Sequence, residues 1–265
     1  MNSNPDPCPE QPGSGHSPIP PRQAHRFYCN PLGTIGEGLS DEPVRLDADQ
    51  DRHARTVLRL GIGDPVELFD GEGTAAEGVL ESGGRVRITA VRHDKRPMPT
   101  IDLAVAMPKA RRADDMVTAL SQVGVDRVVP LRTARGVAQP RPGRLDRFAR
   151  AVIESAKQCR RDFLLRIDPI TTLSDLLARQ HDQRLICHGE AEALSRSALA
   201  EAQRVLILIG PEGGWTADEL RQARSHGCVP WRLGPHVLRV ETAAVAAASI
   251  ARHLASCVTA PPSRR

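Results

Sequence analysis

The chain is poor in aromatic residues, which make up only 3% of its 265 residues, whereas 40% of the residues are apolar. The core is therefore expected to consist mainly of aliphatic side chains. The six cysteines form no CxxC pair, and no HExxH motif occurs. These absences argue against the common zinc sites and against a small disulfide framework. We expect reduced thiols and no metal.

Long apolar runs are also absent. No stretch of about eighteen apolar residues occurs, so no membrane-spanning helix is predicted. The N-terminus lacks the apolar segment of a secretory signal. Residues 1–21 hold seven of the twenty-two prolines and little apolar surface, so we expect a disordered tail there, and residues 259–265 are interpreted as a second tail. These features predict a soluble, cytoplasmic protein without a membrane partner.

The net charge of +4 is unevenly distributed along the chain. Residues 85–166 carry nineteen Lys and Arg against eight Asp and Glu, a balance of +11, and the remainder carries −7. Such a concentration of positive charge favours a polyanionic partner such as nucleic acid. The alternative is a set of ordinary solvated helix faces in an arginine-rich protein, and charge alone does not decide between the two.

A change of pattern after His93 predicts two domains. Residues 22–93 contain short, glycine-punctuated strands, a tight turn at Asp70 and Gly71, and one short helix at Asp51–Arg59 whose Val57 and Leu58 face the core. A linker follows up to residue 99. Residues 98–258 alternate apolar strands with amphipathic helices, which is typical of an α/β domain with a mainly parallel sheet.

The α/β part is predicted to contain five strands and four helices. The strands are Ile101–Met107, Asp126–Leu131, Arg184–His188, Arg204–Gly210 and Val229–Gly234. The helices are Arg112–Val123, Arg144–Cys159, Ala217–His226 and Ala243–Ser256. Their apolar residues recur at helical spacing, as Phe148, Val152 and Ala156 do in the second helix.

The sharpest motif is the glycine loop, Gly210–Gly214, which lies between a buried strand and a helix. Thr216 and Glu219 predict a capping box at the start of that helix. The glycines allow the backbone to approach a ligand closely and leave amide groups free to bind it, at the usual position of an α/β ligand site. A tight turn without a ligand is the alternative. The loop matches neither the GxxxxGK[ST] nor the GxGxxG motif.

A second loop, Leu233–Glu241, also follows a strand and precedes an alanine-rich helix. Together the two loops resemble the family of 16S ribosomal RNA uridine N3-methyltransferases, members of the knotted SPOUT class, whose pattern is LIGPEGG followed by LGxRxLRxETA. This chain has LIGPEGG at Leu208–Gly214 and LGPHVLRVETA at Leu233–Ala243. The resemblance covers nearly the whole chain after the tail, including RFY, LFDG, QVGV and ESAKQCRR.

This resemblance implies the architecture of the family. Residues 22–93 would form a small PUA-like β-barrel that helps to hold RNA. Residues 98–258 would form an α/β SPOUT methyltransferase domain with a trefoil knot. The knot is implied by the resemblance alone, because ordinary rules of chain topology disfavour threaded chains.

The resemblance also implies which residues surround S-adenosylmethionine. They are Gly210, Glu212, Gly213, Gly214, Leu233, Gly234, Leu238, Arg239, Glu241, Thr242 and Ala243. An acidic side chain at 212 or 241 would offset the positive charge of the sulfonium. The alternative is that either glutamate pairs with Arg239.

A second set of residues is implied as RNA contacts. They are Arg26, Lys109, Arg112, Arg135, Gln158 and Arg161. His188, at a strand end, is either part of the pocket or a structural histidine. The chain departs from the family where TALSQVGV replaces QKATELGV, where Arg160 replaces a glycine, and where LLRI replaces VPEI. We interpret these changes as lying near the RNA face, where they concern the choice of target.

The implied reaction is methylation of N3 of a uridine in 16S ribosomal RNA of the small ribosomal subunit, by a homodimer, with no assignable general base. One alternative is a SPOUT enzyme that methylates ribose 2′-hydroxyls of rRNA or tRNA. Those enzymes resemble NxEGxG and an asparagine-valine-serine helix start, where this chain has GPEGG and Glu241–Ala243. The other is a noncatalytic RNA-binding ribosome-assembly factor, against which the intact cofactor loops argue.

Overall fold

The computed structural model describes residues 24–30, 32, 43–109, 111–136, 143–199 and 201–259. The predicted tail at 1–21 lies outside the described residues, as does all but the first residue of the predicted tail at 259–265. In the described ranges, no helix is long and apolar enough to cross a membrane.

The N-terminal part is a five-stranded sheet with one helix packed beside it. Its strands are β1 (His25–Tyr28), β2 (Val44–Arg45), β3 (Pro65–Phe69), β4 (Thr74–Leu80) and β5 (Arg85–His93). The order across the sheet is β1-β3-β4-β5-β2, and only the β1–β3 pair is parallel. Aliphatic side chains from the strands and helix form a core of their own around Phe27, Leu68 and Leu80.

The single helix of this part, α1 (Ala48–Thr56), begins three residues earlier than predicted. Asp47 is its N-cap and accepts a hydrogen bond from the Gln50 amide at 2.7 Å, which satisfies one of the free N–H groups of the first turn. The prediction that Val57 faces the core is wrong, because the helix ends before it and the side chain is exposed. Leu58 does pack against the core.

The C-terminal part alternates strands and helices from residue 100 onward. Its strands are β6 (Thr100–Val105), β7 (Arg127–Arg132), β8 (Arg166–Ile167), β9 (Thr171–Thr172), β10 (Gln183–Cys187), β11 (Arg204–Ile209) and β12 (Val229–Trp231). Its helices are α2 (Arg111–Gln122), α3 (Arg144–Cys159), α4 (Leu173–Leu177), α5 (Ala217–Ser225) and α6 (Val240–Thr259).

The strands of this part form one parallel sheet of order β12-β10-β11-β6-β7-β8, and β9 pairs with β7. Two cores lie on opposite faces of it. Helices α2, α3 and α6 pack on one face, around Met116, Phe148 and Ala247. Helices α4 and α5 cover the other face, around Leu176 and Ala223. The predicted α/β fold with a mainly parallel sheet is confirmed.

Most predicted elements are present with small shifts of their ends, and α3 has the predicted bounds. Strands β8 and β9 and helix α4 were not predicted. Helix α6 begins at Val240 rather than at Ala243, because the amide of Ala243 already donates to the carbonyl of Arg239 at 2.8 Å. The last two residues of the second loop are therefore helical.

The two parts of the chain meet through an ion network whose two carboxylates are buried. Arg26 on β1 pairs with Glu67 on β3 and with Asp162 after α3, and it also donates to the carbonyl of Ala156 at 3.2 Å. Arg92 on β5 joins the same two carboxylates at 3.1 and 2.6 Å. Burial raises the pKa of Asp162, whereas the neighbouring guanidinium groups act in the opposite direction. We call this set of groups the domain-interface network. It consists of the side chains of Arg26, Glu67, Arg92 and Asp162 and the carbonyl of Ala156.

A tight turn of the N-terminal part inserts beside this network. As predicted, Asp70 and Gly71 mark the turn, and the Asp70 carboxylate accepts from the amides of Glu72 and Thr74. Gly71 has φ +77°, and a side chain there would lie 2.6 Å from Leu164 of the other part. The amide of Leu164 donates to the Gly71 carbonyl at 2.9 Å. The turn thus requires glycine for both conformation and space.

Two of the departures from the family pattern lie at this interface. Arg160 ends α3 in the left-handed conformation, with φ +58°, and pairs with Glu67. Arg166 pairs with Glu72 at 2.9 Å. Both arginines bind carboxylates of the N-terminal part, and the interpretation that these two changes concern an RNA face stays a prediction.

Candidate active site

The carboxyl ends of the parallel strands bring the sequence motifs together at one edge of the sheet. Strand β11 leads into the glycine loop, β12 into the second loop, and β6 and β7 into residues 106–109 and 133–136. In the sheet order, β11 lies next to β6, and the chain departs from them in opposite directions. In open α/β sheets, this kind of switch point is where ligands bind.

The glycine loop is packed tightly on one side. A side chain on Gly210 would lie 2.8 Å from the ring of Trp215, so this glycine serves close packing. A Cβ on Gly213 would approach the Cβ of Arg135 at 3.3 Å, and Arg135 donates to the Gly213 carbonyl at 2.8 Å. Gly214 has φ +70° and open space around its Cα. Glycine suits this position because the backbone is left-handed there, and the space beside it is open to a ligand.

The helix after the glycine loop is fixed by the predicted capping box. Thr216 accepts from the Glu219 amide, and Glu219 accepts from the Thr216 amide at 2.8 Å. The second carboxylate oxygen of Glu219 accepts from the Ala134 amide, also at 2.8 Å. The Glu219 side chain therefore links the start of α5 to the segment after β7.

The two loops are joined by an arginine. The Nη1 atom of Arg112, on α2, lies 3.4 Å from Glu212 Oε1 in the glycine loop and 3.6 Å from Glu241 Oε1 in the second loop. The other carboxylate oxygen, Glu241 Oε2, is buried and has no hydrogen-bond partner among the described residues. The glutamates thus pair with Arg112 instead of Arg239, which was the alternative considered for them.

The second loop and the start of α6 supply a mixture of packed and exposed groups. Leu233 and Ala243 are half-buried against the main core, whereas Gly234 has open space beside it. The remaining predicted residues of this segment, Leu238, Arg239 and Thr242, are exposed. The structure brings the two loops to one edge of the sheet, where a glutamate from each contacts Arg112.

Family models assign the chain. The model described as RNA methyltransferase domain matches residues 94–252, and the model described as RNA methyltransferase PUA domain matches residues 46–91. The first match covers more than half of the chain. The chain belongs to the RNA methyltransferase family.

Curated relatives and solved structures agree with this family. Ribosomal RNA small subunit methyltransferase E from Mycobacterium bovis is 34% identical over 236 residues, which are 83% of this chain and 88% of the relative. A crystal structure of the same-named protein from Neisseria gonorrhoeae, bound to S-adenosyl methionine, superposes with TM-score 0.76 at 28% identity, covering 88% of this chain and 98% of that one. A Legionella pneumophila methyltransferase with bound cofactor SAM gives TM-score 0.77 at 26% identity, covering 88% and 99%.

The RNA-contact candidates of this methyltransferase fall into two groups. Lys109, Arg135 and Gln158 are exposed, and Arg112 is partly exposed at the cofactor loops. Lys109 and Arg135 lie at the same edge of the sheet as these loops. Gln158 lies on α3 and accepts a hydrogen bond from Gln122 at 3.3 Å.

The other two candidates, Arg26 and Arg161, have internal partners. Arg26 is buried in the domain-interface network. Arg161 donates to the carbonyls of Ser121 and Val125 at 3.0 and 2.6 Å, and it lies 3.4 Å from Asp126. Their assignment as RNA contacts is therefore corrected, since a guanidinium enclosed by protein acceptors does not reach RNA in this fold.

Sequence reasoning missed Trp215. Its indole Nε1 donates to the Cys187 carbonyl at 3.1 Å, and its ring fills the space beside Gly210. Trp215 thereby ties the end of β10 to the glycine loop. Burial raises the pKa of the Cys187 thiol to about 12, which favours its protonated form at neutral pH. The available signal was a rare tryptophan directly after the glycine pair.

His188 has a local role at the end of β10. Its amide donates to the Trp231 carbonyl at 3.0 Å, and its Nδ1 accepts from the Glu190 amide at 3.4 Å. These contacts fix the segment after β10. Across the described ranges, no group of three or more His, Cys, Asp or Glu side chains is arranged to hold a metal ion.

Proposed function

We propose that this methyltransferase transfers a methyl group from S-adenosylmethionine to N3 of a uridine in the RNA of the small ribosomal subunit. The observation that carries the proposal is the meeting of the two motif loops at Arg112, at the carboxyl edge of the parallel sheet. The names of the relatives support the substrate, and two solved neighbours with the bound cofactor support the methyl donor.

The residues at this edge fit S-adenosylmethionine. Backbone groups of the two loops are available to bind its adenine and amino-acid ends, as at other α/β ligand sites. The carboxylates of Glu212 and Glu241 supply negative charge against one guanidinium, and the unpartnered Oε2 atom of Glu241 favours a cation. When bound, S-adenosylmethionine supplies an electrophilic methyl group on a positively charged sulfur.

The chain's own contribution to the reaction is positioning. The target base has to leave its stack to reach the edge of the sheet, and the protein then holds N3 in line with the methyl group, which contributes much of the rate. Arg112 and Arg135 contact the loops with their guanidinium groups, and either one is placed to stabilise the negative charge that develops on the uridine ring. No side chain is assigned as a general base.

A direct test is an assay with purified protein, labelled S-adenosylmethionine and small ribosomal subunits, followed by nucleoside analysis of the RNA. We expect label in N3-methyluridine. Label in a 2′-O-methylated nucleoside would support the ribose-modifying alternative instead. Subunit binding without any transfer would support the noncatalytic assembly factor.

The RNA surface is proposed to include the exposed cations Lys109 and Arg135. Replacing both with alanine is expected to weaken RNA binding and to lower the log–log salt slope by about 0.7 to 0.9 for each phosphate that the protein no longer neutralises. The matched control is Arg221→Ala with Arg224→Ala, which removes two exposed cations from α5. Equal RNA affinity and salt slope in the two double variants would mean that Lys109 and Arg135 are ordinary solvated side chains.

We also propose that the protein is a homodimer with the trefoil knot of the resembled class and that it acts in the cytoplasm, where ribosomal subunits are assembled. The dimer is supported by Val237 and Leu238, neighbouring apolar residues of the second loop that are 99% and 36% exposed in the single chain. Sedimentation is expected to give the mass of two chains. An active, stable monomer would contradict the dimer.

A further inference from the structure

Arg112 stands between two sites that the proposed function requires. On one side, its Nη1 atom is shared by Glu212 and Glu241, one from each cofactor loop. On the other side, α2 begins two residues after the exposed Lys109, at the edge where RNA is proposed to bind. One cation is therefore within reach of both the cofactor carboxylates and an RNA phosphate.

The charges of Arg112, Glu212 and Glu241 do not balance one another. Two carboxylates face one guanidinium, and Glu241 Oε2 is buried without a partner among the described residues. The site can therefore accommodate a second positive charge. Close to a surface, like charges in one site weaken each other's binding, so a sulfonium and the Arg112 guanidinium compete for the same two carboxylates.

The exposure of the three side chains differs, and Glu212 is the most accessible of them at 50%. The Glu241 side chain is 20% exposed and belongs to the first turn of a 20-residue helix, whereas Arg112 is 38% exposed at the start of α2. The contacts of Arg112 with the carboxylates, at 3.4 and 3.6 Å, are long for charge-assisted hydrogen bonds. Of Arg112 and Glu241, Arg112 is thus the one that can turn outward at small cost.

We propose that Arg112 is shared between the methyl donor and the RNA and couples their binding. A cationic donor at Glu212 and Glu241 displaces the guanidinium, which then binds an RNA phosphate. By linkage, RNA that holds Arg112 strengthens the binding of a cationic donor to the same degree. This inference rests on the proposed function, because it requires both ligands at this edge.

The coupling also reverses after the reaction. In the transfer, the sulfur–methyl bond breaks, a bond from the methyl carbon to uridine N3 forms, and the N3 proton leaves to solvent. The sulfur keeps the electron pair of the broken bond and becomes a neutral thioether. The two carboxylates then lack a cation and recapture Arg112 from the phosphate, which favours release of the methylated RNA.

The test compares the binding of a cationic and a neutral cofactor analogue, so that no turnover occurs. Sinefungin carries an ammonium in place of the sulfonium, and S-adenosylhomocysteine has a neutral sulfur. The dissociation constant of each is measured by equilibrium dialysis with and without saturating small ribosomal subunits. In the wild type, we expect subunits to tighten sinefungin roughly fivefold more than S-adenosylhomocysteine, at the lower end of coupling between sites.

Arg112→Ala is expected to abolish this difference and to raise the affinity for sinefungin in the absence of subunits, because a competing cation has been removed. Glu241→Gln is expected to lower the preference for sinefungin over S-adenosylhomocysteine. The matched control is Arg111→Ala, which removes the neighbouring arginine, 90% exposed and paired only loosely with Asp115 at 3.7 Å. This control should keep the wild-type difference.

Equal effects of subunits on the two analogues in the wild type, or an unchanged difference in Arg112→Ala, would overturn the sharing of Arg112 while both ligands still bind. A wild-type protein that binds neither analogue, or that does not bind subunits, would instead overturn the proposed function and the coupling with it. The two failures are therefore distinguishable in the same set of measurements.

Discussion

The domain-interface network and the edge of the sheet at Arg112 both pair arginine with two carboxylates, but they differ in burial. At the interface, the side chains of Arg26, Glu67 and Asp162 are 1%, 3% and 5% exposed. At the edge, Arg112 and Glu212 are 38% and 50% exposed and their contact is longer, at 3.4 Å. The same residue types therefore form a buried, fixed ion pair at the domain interface and an exposed, adjustable ion pair at Arg112.

The difference follows from the cost of burying charge. A buried ion has lost its hydration, so removing one partner leaves an uncompensated charge that the fold cannot solvate. An exposed pair contributes little, because water and salt replace either partner readily. A guanidinium can therefore serve a ligand only where its protein partners are replaceable, which is the case for Arg112 and not for Arg26 or Arg161.

The largest effect is expected from breaking the buried side of this comparison. Asp162→Ala should lower the free energy of unfolding by about 3 to 5 kcal/mol, because Arg26 and Arg92 lose a shared buried partner. Urea unfolding measures the change. The control Asp218→Ala removes an exposed carboxylate that pairs with Arg221 and should change stability by less than about 1 kcal/mol. Similar losses in both variants would contradict the distinction between the two kinds of pair.

A smaller effect is expected where a glycine lets the two parts of the chain meet. Gly73 has φ +108°, and a side chain there would collide with the ring of Phe163. Gly73→Ala should therefore cost about 2 to 4 kcal/mol from strain and overpacking combined. Gly83 has φ +70° but no atom within 4 Å of an added Cβ, so Gly83→Ala should cost about 1 kcal/mol from backbone strain alone. Equal thermal shifts in the two variants would rule out the close contact at Gly73.

On the adjustable side, Gly213→Val should weaken S-adenosylmethionine binding at least tenfold, about 1.4 kcal/mol, while the fold survives. A branched side chain there presses on Arg135, whose guanidinium holds the Gly213 carbonyl. Calorimetric titration measures the affinity. Gly189→Val, at an open position after β10, is the control and should bind like the wild type. Unchanged affinity in a folded Gly213→Val protein would remove the glycine loop from the cofactor site.

The smallest effect is expected at an exposed carboxylate with a fixed local role. Asp47→Ala should cost about 1 kcal/mol, because the cap of α1 is removed. Hydrogen bonds from Gln50 lower the pKa of Asp47, so its contribution is present above the unfolded-state pKa of about 3.9 and is lost as the pH falls through the lower folded-state value. The difference between wild type and variant should therefore shrink in strong acid. The control Asp49→Ala removes an exposed carboxylate of the same turn and should cost less than about 1 kcal/mol.

Much of the fold could be predicted because it depends on local patterns. The spacing of Phe148, Val152 and Ala156 gave the bounds of α3, and all three side chains are buried. Strands β8 and β9 have two residues each and α4 has five, so they are too short for a periodic signal. Their positions depend on pairing with β7, which is a tertiary contact.

The sequence predicts which loops form the site, but it does not predict which side chains contact one another there. The motifs placed the glycine loop and the second loop correctly, yet the partner of their glutamates, Arg112, lies 100 residues before Glu212 in the chain. Arg26 is likewise 136 residues from Asp162. A sequence shows that an arginine is present but not whether distant carboxylates and carbonyls enclose it, and this is why the sequence predicts RNA contacts at Arg26 and Arg161.

The central claim is that this chain methylates N3 of one uridine in small-subunit ribosomal RNA. It is tested most directly by nucleoside mass spectrometry of that RNA from a strain lacking the gene, complemented either with the wild type or with Gly213→Val. The account predicts that N3-methyluridine is lost in the deletion strain, returns with the wild type and returns weakly or not at all with the variant. An unchanged amount of N3-methyluridine in the deletion strain would contradict it.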